Sequence, residues 1–173
     1  MAIGRYYKVG VFDTSTQLAT GATVTTTTPT PILVGVLSAS SDINISAIRV
    51  GCFGSGSGFP SNASFVASLN TCTTAPSGGN AATVVQLSGI AKASLVTSWT
   101  TAGGTSAAAI TGMTQTKFWW SQTLPFTAGA NWAEWFTPGF EINVPVSTQV
   151  AIYITASSAG TGTSFSGEIE YSE

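Results

Sequence analysis

The chain has 173 residues, of which only 7% are charged, and its formal net charge is −2 at pH 7. This length fits a single domain, residues 1–173, and the 43% hydrophobic content is too high for a disordered chain. Thr, Ser, Ala and Gly make up just over half of the residues, which favours strands and tight turns over long helices. The near-neutral charge argues against nucleic-acid binding, and no apolar run is long enough for a membrane helix.

The N-terminal region begins with a predicted strand from Arg5 to Phe12. The start of the chain has no apolar segment of the kind that a secretory signal needs. A threonine-rich run, Thr23–Thr30, then leads to Pro31, and both Thr and the position before a proline favour extended backbone. Two interpretations of residues 1–31 stay open. They form an extended arm or edge segment that binds a neighbouring subunit, or an ordinary first strand and loop.

The middle of the chain contains further predicted strands. Ile32–Leu37 is apolar on both faces and predicts a central strand. In Ile43–Cys52 the apolar alternation slips by one residue at Ser46–Ala47, which predicts a β-bulge within one continuous strand. Four more strands are predicted from apolar or β-branched runs: Ala63–Leu69, Ala81–Leu87, Ser94–Thr100 and Lys117–Thr123.

The C-terminal region shows the clearest period-two alternation, in Phe140–Val146, Val150–Thr155 and Phe165–Tyr171. This pattern predicts antiparallel strands with one face on a core and the other in solvent. Eight or nine short strands without a helix predict an all-β fold, a single β-sandwich of jelly-roll type.

Candidate catalytic and metal-binding residues are few. The chain has no His, which removes His-dependent nucleophilic catalysis and His-based metal sites. Glu134 and Glu141 lie among aromatic residues, as in glycoside hydrolases, but a turn sequence separates them. Asp42, like Asp13, is better explained as a turn cap than as a calcium ligand. We therefore expect a protein that is not an enzyme and has no metal or cofactor.

The cysteines and the aromatic residues carry the remaining predictions. Cys52 and Cys72 are expected to be two buried thiols. Adjacent Trp119 and Trp120 are expected on opposite faces of a strand, so that one of them needs a cover outside the core. Three explanations stay open: a subunit or partner interface, a covering loop, or a platform on which sugars stack. The candidate interface residues are Trp119, Trp120, Trp132, Trp135, Phe136, Arg5 and Lys8.

Five segments together resemble small structural proteins of tailed bacteriophages, over roughly the C-terminal two-thirds of the chain. These segments are Thr73–Gly79, Trp119–Trp120, Glu134–Gly139, Val150–Thr155 and Gly167–Tyr171. This resemblance implies a capsid decoration (cement) protein, that is, a β-sandwich, often a homotrimer, on the outside of a capsid shell. The resemblance implies synthesis in the host cytoplasm, a place on the virion exterior and a major capsid protein as partner. It supplies no catalytic residues and implies neither a nucleic-acid nor a membrane partner. The alternative is a carbohydrate- or receptor-binding module of a phage head or tail fibre.

Overall fold

The computed structural model describes residues 5–11, 19–24, 35–38, 41–54, 63–72, 80–81, 83–88, 92, 94, 96–100, 115–125, 129–157 and 160–173. These residues form thirteen strands and no helix. The strands are β1 Tyr6–Val11, β2 Ala19–Val24, β3 Gly35–Ser38, β4 Ile43–Gly54, β5 Ser64–Cys72, β6 Asn80–Ala81, β7 Val84–Gln86, β8 Val96–Thr100, β9 Gln115–Pro125, β10 Ala130–Trp135, β11 Ile142–Val144, β12 Gln149–Ala156 and β13 Gly160–Ser172. Nine of them are five residues or longer, and two of these nine, β2 and β10, were not predicted from the sequence. No helix in this described part is long and apolar enough to cross a membrane.

The strands form two antiparallel sheets. Sheet A has seven strands in the order β10-β4-β13-β1-β7, with β11 also paired to β4 and β2 to β13. Sheet B has six strands in the order β6-β8-β3-β12-β5-β9. The two sheets pack face to face over one core, so the protein is an all-β sandwich, as predicted; the jelly-roll subtype stays a prediction.

The core consists of the inward-facing residues of both sheets. Alternate residues of β13, Phe165, Ile169 and Tyr171, are fully buried in it, and β5 contributes Phe65 and Leu69 in the same way. The rings of Phe65 and Phe165 meet edge to face across the two sheets, with centroids 5.2 Å apart. Such pairs join the layers by more than apolar burial alone.

Strand β4 confirms the predicted bulge. On the neighbouring strand β13, Glu170 lies opposite Ala47 of β4, while the next residue, Tyr171, lies opposite Ile45. Ser46 is therefore the additional residue on β4. This bulge keeps Ile45 and Ile48 both in the core although they are three positions apart.

Two details differ from the prediction. The segment Ala81–Leu87 is not one strand, because β6 lies in sheet B and β7 in sheet A. Strand β12 has no solvated face, since Tyr153 is as deeply buried as its neighbours Ile152 and Ile154. It pairs with β3 and β5 in the middle of sheet B.

The N-terminal strand belongs to the body of the sandwich. Strand β1 lies inside sheet A between β13 and β7, and β2 extends the pairing along β13. This arrangement supports the ordinary first strand rather than the arm for residues 6–11. Residues 1–4, 12–18 and 25–34 lie outside the described part of the chain, as does most of the threonine-rich run.

Candidate functional site

The outer face of sheet A carries an ionic network at its centre. The inward residues of β13 alternate with Glu168 and Glu170, so both carboxylates lie on the outer face. Lys8 Nζ donates to Glu168 Oε2 at 3.0 Å, and Arg49 Nη1 donates to Glu168 Oε1 at 2.5 Å. Arg49 Nη2 donates to Glu170 Oε1, also at 2.5 Å. Two cations and two carboxylates are therefore held in one charge-neutral group.

Glu168 is the most enclosed member of this network. Its side chain is 2% exposed, against 34% for Lys8 and 21% for Arg49. A carboxylate removed from water in this way needs both charge partners, because an unpaired buried charge is strongly unfavourable. Glu168 and Glu170 of β13 therefore hold the Arg49 side chain in place.

The indole of Trp135 lies against the same arginine. Trp135 is on the edge strand β10, opposite Ala47, and its side chain extends to the outer face. The guanidinium carbon of Arg49 is 4.5 Å from the centroid of the indole, within the range of a cation–π contact. Trp135 remains 60% exposed although Arg49 covers one of its ring faces.

The connection between β10 and β11 forms a projection from the same edge. Both strands pair with β4, so the residues between them leave the sheet and return to it. Phe140 N donates to Thr137 O at 2.8 Å, and Gly139 has φ +89°. Pro138 followed by this glycine is the sequence of a type II turn. Phe140 stands at the turn with 79% of its surface exposed.

Trp132 is a further exposed aromatic residue of β10, and its side chain lies on the opposite face of the strand from Trp135. It lies opposite Val50, on the core side of the strand, but the sheet ends there and 38% of the residue is exposed. Its Nε1 donates to Glu134 Oε2 at 3.2 Å. We use the name aromatic edge for the exposed side chains of Trp132, on β10, and Phe140, in the connection from β10 to β11.

Two of the predicted interface residues, Trp119 and Trp120, are partly buried and pack against the core. The pairing of β9 with β5 shifts between Trp120 opposite Leu69 and Phe118 opposite Asn70, which leaves Trp119 as an additional residue. The bulge cancels the expected alternation, and both Trp119 and Trp120 pack against the core. Trp119 Nε1 donates to Thr71 Oγ1 at 2.6 Å. The prediction of opposite faces was therefore wrong.

The other candidates are distributed as follows. Phe136 is half-buried and packs against the core, and Lys8 belongs to the ionic network. Arg5 is partly buried, and its carbonyl oxygen accepts a hydrogen bond from Glu173 N at 3.0 Å. Trp132 and Trp135 are the two predicted residues that the structure leaves clearly accessible.

The candidate catalytic and metal-binding residues have structural partners. Glu134 accepts from Trp132, and Glu141 Oε2 accepts from Gly139 N at 2.6 Å, so each carboxylate stabilises its own segment. Asp42 Oδ1 accepts from Val146 N at 2.9 Å and acts as a turn cap. The described residues contain no group of His, Cys, Asp or Glu that could hold a metal ion. Asp13 lies outside them.

The predicted burial of the cysteines can be checked for one of the two. Cys52 is fully buried within the core, as predicted. The side chain of Cys72 lies outside the described residues, so its burial stays a prediction.

A second polar cluster joins Tyr171, Ser94 and Glu173 near the C-terminal residues. The Tyr171 ring stacks on Tyr7 with centroids 5.6 Å apart, and its hydroxyl is 2.9 Å from Ser94 Oγ. Ser94 Oγ also donates to Glu173 Oε1 at 2.5 Å. Burial raises the pKa of Tyr171 well above its ordinary value, the Ser94 hydrogen bond lowers it, and the Glu173 charge raises it further.

Arg49, Glu168, Glu170 and Phe140 were not among the residues singled out from the sequence. The alternation of Glu168 and Glu170 with apolar residues was visible, but it indicated only a polar face. Nothing local showed that Arg49, 119 residues from Glu168, lies on the neighbouring strand.

Comparison with protein-family models, with curated proteins and with solved structures found no match to this chain.

Proposed function

We propose that this protein is a non-enzymatic virion structural protein, a decoration (cement) protein that binds the outer surface of a phage capsid and stabilises it. The observation that carries the proposal is the exposure of Phe140 and Trp132 at one edge of sheet A. Large apolar side chains that a sheet edge leaves exposed are a common mark of protein–protein interfaces. The sequence resemblance to phage structural proteins supplies the identity of the partner, a major capsid protein.

Attachment through the aromatic edge would depend on apolar burial rather than on charge. The chain has only 12 charged residues, and four of them neutralise one another in the ionic network. Burial of apolar surface is worth about 25 cal/mol per Å² and is not screened by salt. Edge strand β10 also offers backbone groups that point away from β4, which a strand of the partner could pair with.

A homotrimer on the capsid surface is part of this proposal. Low charge again implies an assembly held by apolar contacts, which should persist in high salt. Multi-angle light scattering at micromolar concentration tests it at low and high ionic strength. A trimer in both conditions is expected, and a monomer in both contradicts the trimer.

Co-sedimentation tests attachment directly. Capsids that lack the protein, prepared from the phage whose genome encodes it, are mixed with the purified chain and pelleted. We expect the wild type to pellet and Phe140→Ala to lose most of its binding. Val66→Ala, which removes an exposed apolar side chain from sheet B, is the matched control and should bind normally. Wild-type protein that stays in the supernatant contradicts capsid attachment.

The alternative function is a carbohydrate- or receptor-binding module of a phage head or tail fibre. It is supported by a different residue, Trp135, which lies on the other side of β10 from Trp132 and has one open ring face.

A further inference from the structure

Strand β10 carries a row of backbone groups that no other strand of the described chain pairs with. Phe136 N donates to Ser46 O at 2.9 Å, so β10 and β4 are hydrogen-bonded at this position. In an antiparallel ladder, bonded pairs of residues alternate with pairs that are not bonded. The N–H and C=O groups of Asn131, Ala133 and Trp135 therefore point away from β4, and all three residues are exposed.

This edge carries none of the features that usually prevent further pairing. Natural edge strands are short, irregular, or marked by lysine or proline. Strand β10 has six residues in continuous register with β4, and its sequence contains neither Lys nor Pro. Among the other described strands that pair on one side only, β6, β7 and β11 have two or three residues, and register shifts interrupt the pairing of β2 and β9. Strand β10 is therefore the described edge best suited to accept a further strand.

The unpaired groups specify the backbone of the ligand. N–H and C=O groups on alternate residues of a strand match those of another extended chain, and this pairing needs no particular side chains. A helix uses its backbone groups internally and cannot pair with such a row. The ligand that fits β10 is therefore an extended segment that spans the positions from Asn131 to Trp135.

The side chains of β10 limit the sequence of this segment. Ala133 is small and lies between Asn131 and Trp135 on the outer face, so a β-branched or aromatic residue beside it can pack on the indole. On the core side of the strand, Trp132 is 38% exposed, and Glu134 would repel an acidic residue placed opposite it. We therefore expect an apolar, β-branched or aromatic segment with no acid opposite Glu134.

The position of the edge favours the capsid over a second copy as the source of the strand. Pairing of β10 with the β10 of another copy has two-fold symmetry, whereas the proposed assembly is a homotrimer. The other one-sided strands of the described chain are short or irregular. The aromatic edge, by contrast, adjoins the unpaired groups directly, because Trp132 belongs to β10 and Phe140 to the connection that follows it.

We propose that β10 accepts an extended segment of the major capsid protein as an additional strand of sheet A. The segment forms hydrogen bonds with the backbone of Asn131, Ala133 and Trp135, and its side chains pack against Trp132 and Trp135. This inference rests on the proposed function, since it takes the capsid as the partner, and it adds the means of attachment.

Amide hydrogen exchange of the wild-type protein, free and bound to capsids that lack it, tests the added strand. After quenching, the exchange is measured residue by residue by mass spectrometry. In the free protein the amides of Ala133 and Trp135 should exchange rapidly and those of Trp132 and Glu134 slowly, because only the latter two are bonded to β4. On capsids, exchange at Ala133 and Trp135 should slow at least about tenfold.

The outcomes separate this inference from the proposed function. Wild-type protein that pellets with capsids while Ala133 and Trp135 exchange as in the free protein overturns the added strand and leaves capsid attachment standing. Wild-type protein that does not pellet overturns both. Protection that appears without capsids and increases with protein concentration shows that a second copy supplies the strand, which also overturns the inference.

A proline variant removes one of the outward donors. Ala133→Pro deletes an N–H that points away from β4, and Trp132 before it is already extended, so the fold should be kept. We expect its co-sedimentation with capsids to weaken at least about tenfold.

The matched control is Val84→Pro at the opposite edge of sheet A. Leu87 N donates to Tyr6 O, so by the same alternation Val84 N–H points away from β1. This variant should bind capsids as the wild type does, and circular dichroism checks the fold of both variants. Normal binding by Ala133→Pro overturns the inference, as does an equal loss of binding in the two folded variants.

Discussion

Lys8 and Glu168 are 160 residues apart in the chain, yet the Lys8 ammonium lies 3.0 Å from the Glu168 carboxylate. The pair joins β1 to β13 at the centre of sheet A. Glu168 is the shared partner of both cations of the network, and it is buried on a face where solvated residues were expected. The ionic network therefore ties the N-terminal strand, the C-terminal strand and β4 into one sheet.

Removal of the Glu168 charge should destabilise the fold. In Glu168→Gln the volume is kept, but Lys8 loses its carboxylate and Arg49 keeps only Glu170. Loss of one member of a buried ionic group costs about 3–5 kcal/mol, and the partial exposure of Lys8 reduces this to about 2–3 kcal/mol. Denaturant unfolding measures the change. Glu134→Gln, at the exposed edge, should cost about 0.5 kcal/mol, and equal losses from the two variants would contradict a special role for Glu168.

Alkaline pH should unfold the protein partly through Tyr171. Burial raises its pKa in the folded state, so above about pH 10 the unfolded chain releases a proton that the folded chain retains. The free energy of unfolding therefore falls as pH rises from that point, by up to about 1.4 kcal/mol per pH unit for this group. Tyr171→Phe should show a shallower alkaline decline, measured by denaturant unfolding between pH 8 and pH 11.

The control for this variant is its stability at neutral pH. Loss of the hydroxyl contact with Ser94 should cost about 1 kcal/mol there. An unchanged alkaline slope in Tyr171→Phe would show that other groups cause the decline.

Two glycines with nearly the same backbone angle should respond differently to alanine. Gly10 has φ +91° and Gly139 has φ +89°. A Cβ on Gly139 would meet nothing within 4 Å, whereas one on Gly10 would overlap the carbonyl oxygen of Gly167 on the neighbouring strand. Gly139→Ala should cost about 1–2 kcal/mol from the backbone angle alone. Gly10→Ala should cost at least about 3 kcal/mol, because the strands must also separate.

Thermal unfolding of both glycine variants under the same conditions makes this comparison. Similar melting temperatures for the two would show that β1 does not approach β13 as closely as described.

The bulge in β9 predicts similar outcomes for its two tryptophans. Trp119→Ala and Trp120→Ala should each destabilise the fold by about 2–4 kcal/mol, because both indoles pack against the core. Trp132→Ala, at the exposed edge, should change the unfolding free energy by about 0.5–1 kcal/mol. Strong destabilisation by only one of the variants Trp119→Ala and Trp120→Ala would indicate that the two side chains point to opposite faces of β9. That result would contradict the bulge.

The bulges in β4 and β9 show how far the sequence predicts the fold. In β4 the apolar residues themselves change phase, so the additional residue was visible in the pattern around Ser46. In β9 both residues at the bulge are tryptophans, which fit either face, and no change of phase can be seen. Strand β10 was not predicted because Trp132, Glu134 and Trp135 do not alternate between apolar and polar side chains.

The candidate site depends on register, which local pattern does not determine. Trp135 was singled out because it is adjacent to Phe136, so that one of the two side chains was expected outside the core. Its contact with Arg49 requires β10 and β4 to be paired with Trp135 opposite Ala47. Likewise, Arg49 meets Glu168 only because β4 and β13 place the two residues directly opposite each other. The composition, by contrast, was sufficient to predict the all-β class.

The proposed role as a capsid decoration protein is tested most directly by an electron-microscopy map of the native phage particle. We expect density for the sandwich on the outside of the shell, as trimers, with Phe140 and Trp132 facing the major capsid protein. A map that shows the sandwich in a tail fibre, or a shell surface with no density beyond the major capsid protein, would contradict the account.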